Sequence, residues 1–328
     1  MSEPADTLQV TTLHGMEGEE LMAGGDGRGR HHGAWQLLCA APAVLASAVM
    51  VLVAFAWLGE FAVLALATWL LCAPLLLSTA AERFVVRHVY RFRRPTGVDE
   101  DWLDWLQARV ERRCGLEQHR FDWYVHRDDH ANAMSVGRRT IAVTSGFLQL
   151  LSTRRIGPDQ GVAVAMHEVG HHATRGAHYS LLIEWLTWPW QTTYRIVMRL
   201  GAGLPFAATA KLLWPVVFAV ALINIARDQA GPPEHVIPVL ILLGILALAV
   251  LVYPIAASAF SRAGEHAADA YACRLGAGPD LATALSQLAP CRANRPLGWL
   301  RDTHPAPSAR LQRLSAAPAV GSDSDRSV

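Results

Sequence analysis

The sequence predicts a mainly α-helical protein with a small β-sheet, attached to about four transmembrane helices. Three observations carry that prediction. Apolar runs of membrane-spanning length come in two pairs, within residues 34–80 and 204–257. Between and after the pairs, apolar residues recur at helical spacing, interrupted by two short extended stretches. The composition is 52% hydrophobic and 17% charged with a mean hydropathy of +0.21, which points to a membrane protein.

The same composition excludes other classes. A formal net charge of +1, without a Lys/Arg stripe interleaved with aromatics, argues against nucleic acid as a partner. The five cysteines lack C-x-x-C spacing. They therefore predict neither a disulfide framework nor a cysteine-held metal, and they suit a reducing compartment.

Residues 1–33, rich in Gly, Glu and Asp, read as a disordered tail, with His31-His32 a short polar pair at its end. Residues 34–81 form a predicted transmembrane hairpin: an apolar run from Ala34 to Leu58, a turn at Gly59-Glu60, and a second run from Phe61 to Ala80. The length of the first run, with a second following at once, argues against a cleaved signal peptide. Arg83, Arg87, Arg91, Arg93 and Arg94 then lie beside the span, which predicts that the hairpin begins and ends in the cytoplasm.

Residues 82–200 are the first part of a predicted domain outside the membrane. A helix is expected from Asp99 to Gln118, with Trp102, Leu103, Trp105, Leu106 and Val110 spaced for one face. Strands are expected over Phe121–Val125 and Thr140–Thr144, the latter favoured by β-branched residues. Between them His126 and His130 flank a polar turn and read as solvated. Phe147–Leu151 predicts a short helix, and Pro158 with Asp159 opens a longer one. Trp185, Trp188, Trp190 and Tyr194 suit a membrane interface. Residues 201–258 hold the second predicted pair of spans, Leu204–Ala226 and Val236–Ala257, with Lys211 in the first of them. Residues 259–316 complete that domain, and 317–328 form a second disordered tail.

The helix opened by Pro158 contains His167-Glu168-Val169-Gly170-His171. A helix turns once in about 3.6 residues, so His167 and His171 project from one face and can grip one metal. Glu168 follows the first ligand directly and can serve a water beside the metal, the pattern of a zinc hydrolase. Such a centre needs a third protein ligand. In Ser261-Arg262-Ala263-Gly264-Glu265-His266-Ala267-Ala268-Asp269, Glu265 and Asp269 share a helix face. Glu265 can bind metal while Asp269 reaches back to orient a ligand imidazole. His172, His178 and His266 are the other candidates. His172 points about a hundred degrees round the helix from His171. No histidine stands where a His-x-x-Gly-x-x-His extension would place one, since Thr174 and Ala177 occupy those positions.

These residues closely resemble the HtpX-like membrane zinc metallopeptidases, relatives of the CAAX prenyl endopeptidases. Four features match in the family's order: Asn132-Ala133-Met134 through Gly137, His167-Glu168-x-x-His171, Ser261-Arg262 through Glu265 and Asp269, and His304-Pro305 with Arg310. Met134 and Ala306 depart from the family's usual Phe and Pro. The resemblance implies a zincin-like (gluzincin) catalytic domain with one Zn²⁺ held by His167, His171 and Glu265. It implies Glu168 as the catalytic acid–base, with His304 and Arg310 steadying the tetrahedral intermediate. It also implies that Asn132, Ala133 and Met134 lie on an edge strand that takes a polypeptide substrate main chain to main chain. The expected protein is a multi-pass enzyme of the lipid bilayer, its active site and both termini cytoplasmic, that degrades misfolded membrane proteins. Its rivals are a CAAX-type protease, for which the chain is short, and a zinc-domain signal transducer, for which a ligand-binding domain is wanting.

Overall fold

A computed structural model of the chain describes residues 26–202, 236–288 and 307–316. The predicted span Leu204–Ala226, both predicted tails up to residue 25 and from 317, and His304-Pro305 lie outside the described residues. The described chain is mainly helical with one three-stranded sheet. It forms two units, one of the chain up to Ala34 with Leu77–Leu181 and the chain from Ser261 onward, the other of Trp35–Leu76, which holds most of the first helix, with Leu182–Phe260.

In the first unit, helices α3 (Thr79–His88) and α4 (Val98–Cys114) precede the sheet. Ser78 caps α3, its hydroxyl accepting from the Ala81 amide at 3.2 Å. Helix α4 opens with Asp99, Glu100 and Asp101 at its positive end and buries Leu103, Leu106, Val110 and Cys114 along one stripe. It stops short of the expected Gln118 because the Leu116 amide turns back to the Glu111 carbonyl at 2.9 Å. The strands are β1 (Asp122–His126), β2 (Ala133–Val136) and β3 (Thr140–Thr144), in the order β1-β3-β2. β3 runs parallel to β1 and antiparallel to β2, with Ala133 opposite Val143 and Val136 opposite Thr140. The central strand β3 is buried throughout, as its Thr-Ile-Ala-Val-Thr sequence suits. β2, half-buried, is an edge.

Thr144 ends β3 and caps helix α5 (Ser145–Ser152), accepting from the Phe147 amide at 3.2 Å. Helix α6 (Pro158–Ala173) begins where Pro158 predicts, with the Gln160 side chain returning to accept from the Gly157 amide at 2.8 Å. The core between α4, the sheet and α6 joins Leu106, Val110, Ile141, Val143, Phe147, Met166 and Val169. Tyr271 and Leu281, from the later helices α9 (Tyr253–Arg274) and α10 (Gly278–Leu288), close it, with Leu314 of α11 (Pro307–Ala316).

In the second unit, α1 (Asp26–Phe55) and α2 (Phe61–Cys72) stand with α7 (Ser180–Ala202) and α8 (Val236–Ala247). Ala43, Ala46, Trp190, Leu246 and Ala249 pack together, and the Trp190 amide donates to the Ser47 hydroxyl at 3.1 Å. Trp35, Val63, Leu64, Leu71, Ile241 and Leu251 are exposed, a surface suited to lipid rather than water. Among the described residues, two stretches are long and apolar enough to cross a membrane, Gly33–Leu58 and Leu240–Arg274. The second expected span is broken instead: Pro74–Leu77 is a 3₁₀ turn, and the chain bends by 99° before α3. Counting that bent pair as one, the described residues supply three spans at most, where the sequence predicts about four in the whole chain. The last span is also longer than expected. A π-helical stretch, Leu248–Val252, leads into α9, and Pro254, which has no N–H to donate, follows it. The helix therefore runs unbroken past the expected end at Ala257 to Arg274.

Candidate metal centre

Two helices make the site. α6 supplies His167, Glu168 and His171, and α9 supplies Glu265 and Asp269. They approach at Gly170, where an added Cβ would stand 2.9 Å from both the Cα and the carbonyl oxygen of Ala268. Small residues on both sides thus allow near backbone contact, one turn from His167 and beside His171. The imidazoles of His167 and His171 stand edge to face, centroids 4.8 Å apart. Glu265 reaches both: Oε2 lies 3.4 Å from His167 Nε2, and Oε1 lies 3.7 Å from His171 Nε2. Ligating atoms of the three residues all fall within 4.8 Å of one another.

That donor set, two imidazole nitrogens and one carboxylate, fits a divalent transition metal such as zinc. The surrounding contacts fit it too. His167 Nδ1 is 2.9 Å from Asp269 Oδ1, which leaves Nε2 turned to the cluster. Arg310 of α11 is buried and forks onto Asp269, Nε to Oδ2 at 2.9 Å and Nη2 to Oδ1 at 2.6 Å. Its Nη1 lies 3.1 Å from Glu265 Oε2. One guanidinium therefore touches both the third candidate ligand and the carboxylate that orients the first.

Protonation divides the pair of imidazoles. Burial alone lowers the pKa of His167, but the Asp269 and Glu265 carboxylates outweigh it and hold it up at about 9. His171 is pushed down to about 4 by burial and by the charge on His167. Glu168 is buried, and its pKa is raised by that burial, opposed by His167 and supported by Glu265. The Ser135 hydroxyl of β2 opposes that rise and favours the ionised form.

The other candidate ligands stand apart from this cluster. His172 Nε2 donates to the Thr140 carbonyl at 3.0 Å and its ring stacks on Phe121, as its position round the helix predicts. His130 is exposed and pairs with Asp128 at 3.0 Å, while His126 packs against Phe92. His178 and His266 do not join the three donors. Ala133 of β2 packs on the core shared with α6, whereas Met134 and Val136 pack on the opposite face with Val86, Phe92, Tyr124 and Ala142.

Ser135, on the strand beside the site, and Glu82, behind that strand's turn, were not picked out in the sequence. Ser135 alternates with Met134, and two-residue periodicity along β2 would have set it on the face of Ala133, toward α6. Glu82 was hidden in a basic stretch. It is 2% exposed and accepts hydrogen bonds from the turn that joins β2 to β3.

The sequence profile of Peptidase family M48 matches residues 99–317, more than half of the chain. The chain belongs to peptidase family M48. The matched stretch of this M48 protein takes in every residue of the cluster, the edge strand and Arg310, and it bears out the resemblance that those residues suggested. Among solved structures, the crystal structure of S. mikatae Ste24p is similar, with 18% identity and a TM-score of 0.41. The alignment covers 84% of this chain and 62% of that one, so the M48 protein spans less than two thirds of its length. No curated protein matches the chain.

Proposed function

We propose that this M48 protein is an integral-membrane, zinc-dependent endopeptidase, with His167, His171 and Glu265 as its metal ligands. The observation that carries this reading is the meeting of the α6 pair with Glu265 of α9 in one cluster, with Glu168 buried beside it. Zinc bound there would act as a Lewis acid, making a water nucleophilic at neutral pH and polarising the scissile carbonyl. The remaining work falls to the chain. Glu168 takes the proton of the attacking water on a carboxylate oxygen and delivers it to the nitrogen of the departing amine. Its raised pKa suits it to hold that proton in between. Asp269 fixes the ring and tautomer of His167, and Arg310 fixes Asp269. These contacts suit Arg310 to positioning the ligands, beside the role at the tetrahedral intermediate that its motif implies for it and for His304.

The substrate is received by β2. As an edge strand it offers its outer main-chain groups to an extended peptide, along Asn132, Ala133 and Met134. Recognition through main chain is sequence-tolerant, which suits misfolded or damaged membrane proteins as the substrate class. The active site is assigned to the cytoplasmic side from the arginines after the hairpin. Arg83 and Arg93 pair with Asp122 and Asp99, while Arg87, Arg91 and Arg94 have no ion-pair partner among the described residues.

The reading is tested by removing the metal. Purified protein in detergent should lose casein cleavage after dialysis against a chelator and regain it with zinc. A Glu265→Ala variant should not retain stoichiometric zinc under the same conditions. Cleavage that survives full metal removal would overturn the proposal.

A further inference from the structure

Glu82 is the one acid of α3, and its side chain turns inward. Its Oε2 accepts from the Arg138 amide at 2.9 Å, and its Oε1 accepts from the Arg139 amide at 3.0 Å and the Thr140 hydroxyl at 2.7 Å. Gly137, Arg138 and Arg139 are the turn between β2 and β3, and Thr140 pairs with Val136, the last residue of β2. The carboxylate lies against bare backbone at Gly137: an added Cβ would stand 2.6 Å from Glu82 Cδ, and φ there is +64°. Gly137 also donates to the Ser180 hydroxyl at 3.0 Å. At the other end of β2 the sheet fastens itself, Asn132 and Thr144 exchanging amide bonds with each other's oxygens at 2.8 and 2.9 Å.

We propose that Glu82 is a positioning residue for the peptide-accepting strand, clamping the β2–β3 turn so that β2 holds its place beside Glu168. The proposal rests on the reading of β2 as the substrate strand. A four-residue edge strand has little hold of its own. The amides of its turn need acceptors, and a buried carboxylate taking three donors is a strong, directional one. A slipped turn would therefore displace the peptide-pairing edge.

The test uses the full-length, zinc-loaded protein in detergent, in a Glu168→Gln background so that peptide is bound and not cut. The probe is fluorescein-labelled oxidised insulin B chain, followed by anisotropy. Glu82→Gln puts a donor where an acceptor is needed, and it should weaken probe binding about tenfold. Thr140→Val removes a single donor and should weaken it by less, which keeps the proposal testable should Glu82→Gln not fold. Gly137→Ala should weaken it as Glu82→Gln does, and the double variant should add little, because both act on one contact. In hydrogen exchange, amides 133–140 should exchange faster in these variants while 158–173 and the metal content stay unchanged. In the active protein the same variants should raise KM for the B chain with kcat within about twofold. Unchanged probe affinity, or unchanged exchange in 133–140, would overturn the proposal. So would failure of the parent to bind the probe while wild type still cuts casein, since β2 would then not be the peptide site. If wild type cuts nothing when zinc-loaded, the endopeptidase reading falls, and the proposal with it.

Discussion

His167 is set by a line of three side chains, with Asp269 on its Nδ1 and Arg310 forked onto Asp269. Replacing Asp269 by Asn keeps the shape but loses the charge that raises the basicity of His167 and holds the fork. Metal affinity should fall by roughly 10–100-fold, read by competition with a chromophoric chelator. An unchanged affinity would remove Asp269 from the support of the metal. At this scale the sequence was informative where spacing on one helix decides the outcome. The His167–His171 pair and the Glu265–Asp269 pair are both four residues apart, and both meet at the centre. Glu82 and Ser135 were not legible, because their partners lie on other elements. An acid among arginines reads as a solvated charge until the turn amides of Arg138 and Arg139 are seen to need it.

At the scale of elements, the site depends on how closely α6 and α9 approach. Gly170→Ala adds a methyl that meets Ala268 backbone rather than a side chain that could swing away. It should cost about 1–3 kcal/mol of stability. The thermal midpoint in detergent should drop, with metal affinity dropping beside it. A midpoint equal to wild type would show that the helices can separate at no cost. α6 is also tied to the sheet through His172, whose pKa burial lowers from 6.5 to about 3. Below pH 6.5 the unfolded chain takes up that proton before the folded one does, so the stabilisation is complete above 6.5 and drains away as pH falls toward 3. His172→Gln should therefore lose less of its thermal midpoint between pH 7 and pH 5 than wild type loses. Equal losses would mean that His172 does not titrate in this window.

The start of α6 was legible from Pro158 and Asp159. The break near Ser78 and the run of α9 to Arg274 were not, since hydropathy measures how apolar a stretch is and not where its backbone bends. Pro74 opens a 3₁₀ turn inside an apolar run, whereas Pro254, after a π turn, leaves its helix continuous.

Over the whole molecule, the chain divides its apolar residues between two uses. The core around Met166, Phe147 and Tyr271 is closed from water, while Trp35, Leu64, Ile241 and Leu251 stay exposed on apolar helices. The second set needs lipid, so the protein should remain in the membrane pellet after alkaline carbonate extraction and leave it only with detergent. Release by carbonate alone would contradict the integral assignment. This division was legible in composition and run length. The joining of ligands from far apart in the chain was legible only through resemblance to a family, since no periodicity links His171 to Glu265.

Glu168 is proposed to perform proton transfer at a centre whose ligands are other residues. The most direct test is cleavage of casein in detergent by zinc-loaded wild type and by Glu168→Gln, with bound zinc quantified in both. Both should hold one zinc per chain and only wild type should cut, the variant losing at least about 100-fold in rate. A Glu168→Gln protein that keeps its zinc and cuts at the wild-type rate would contradict it.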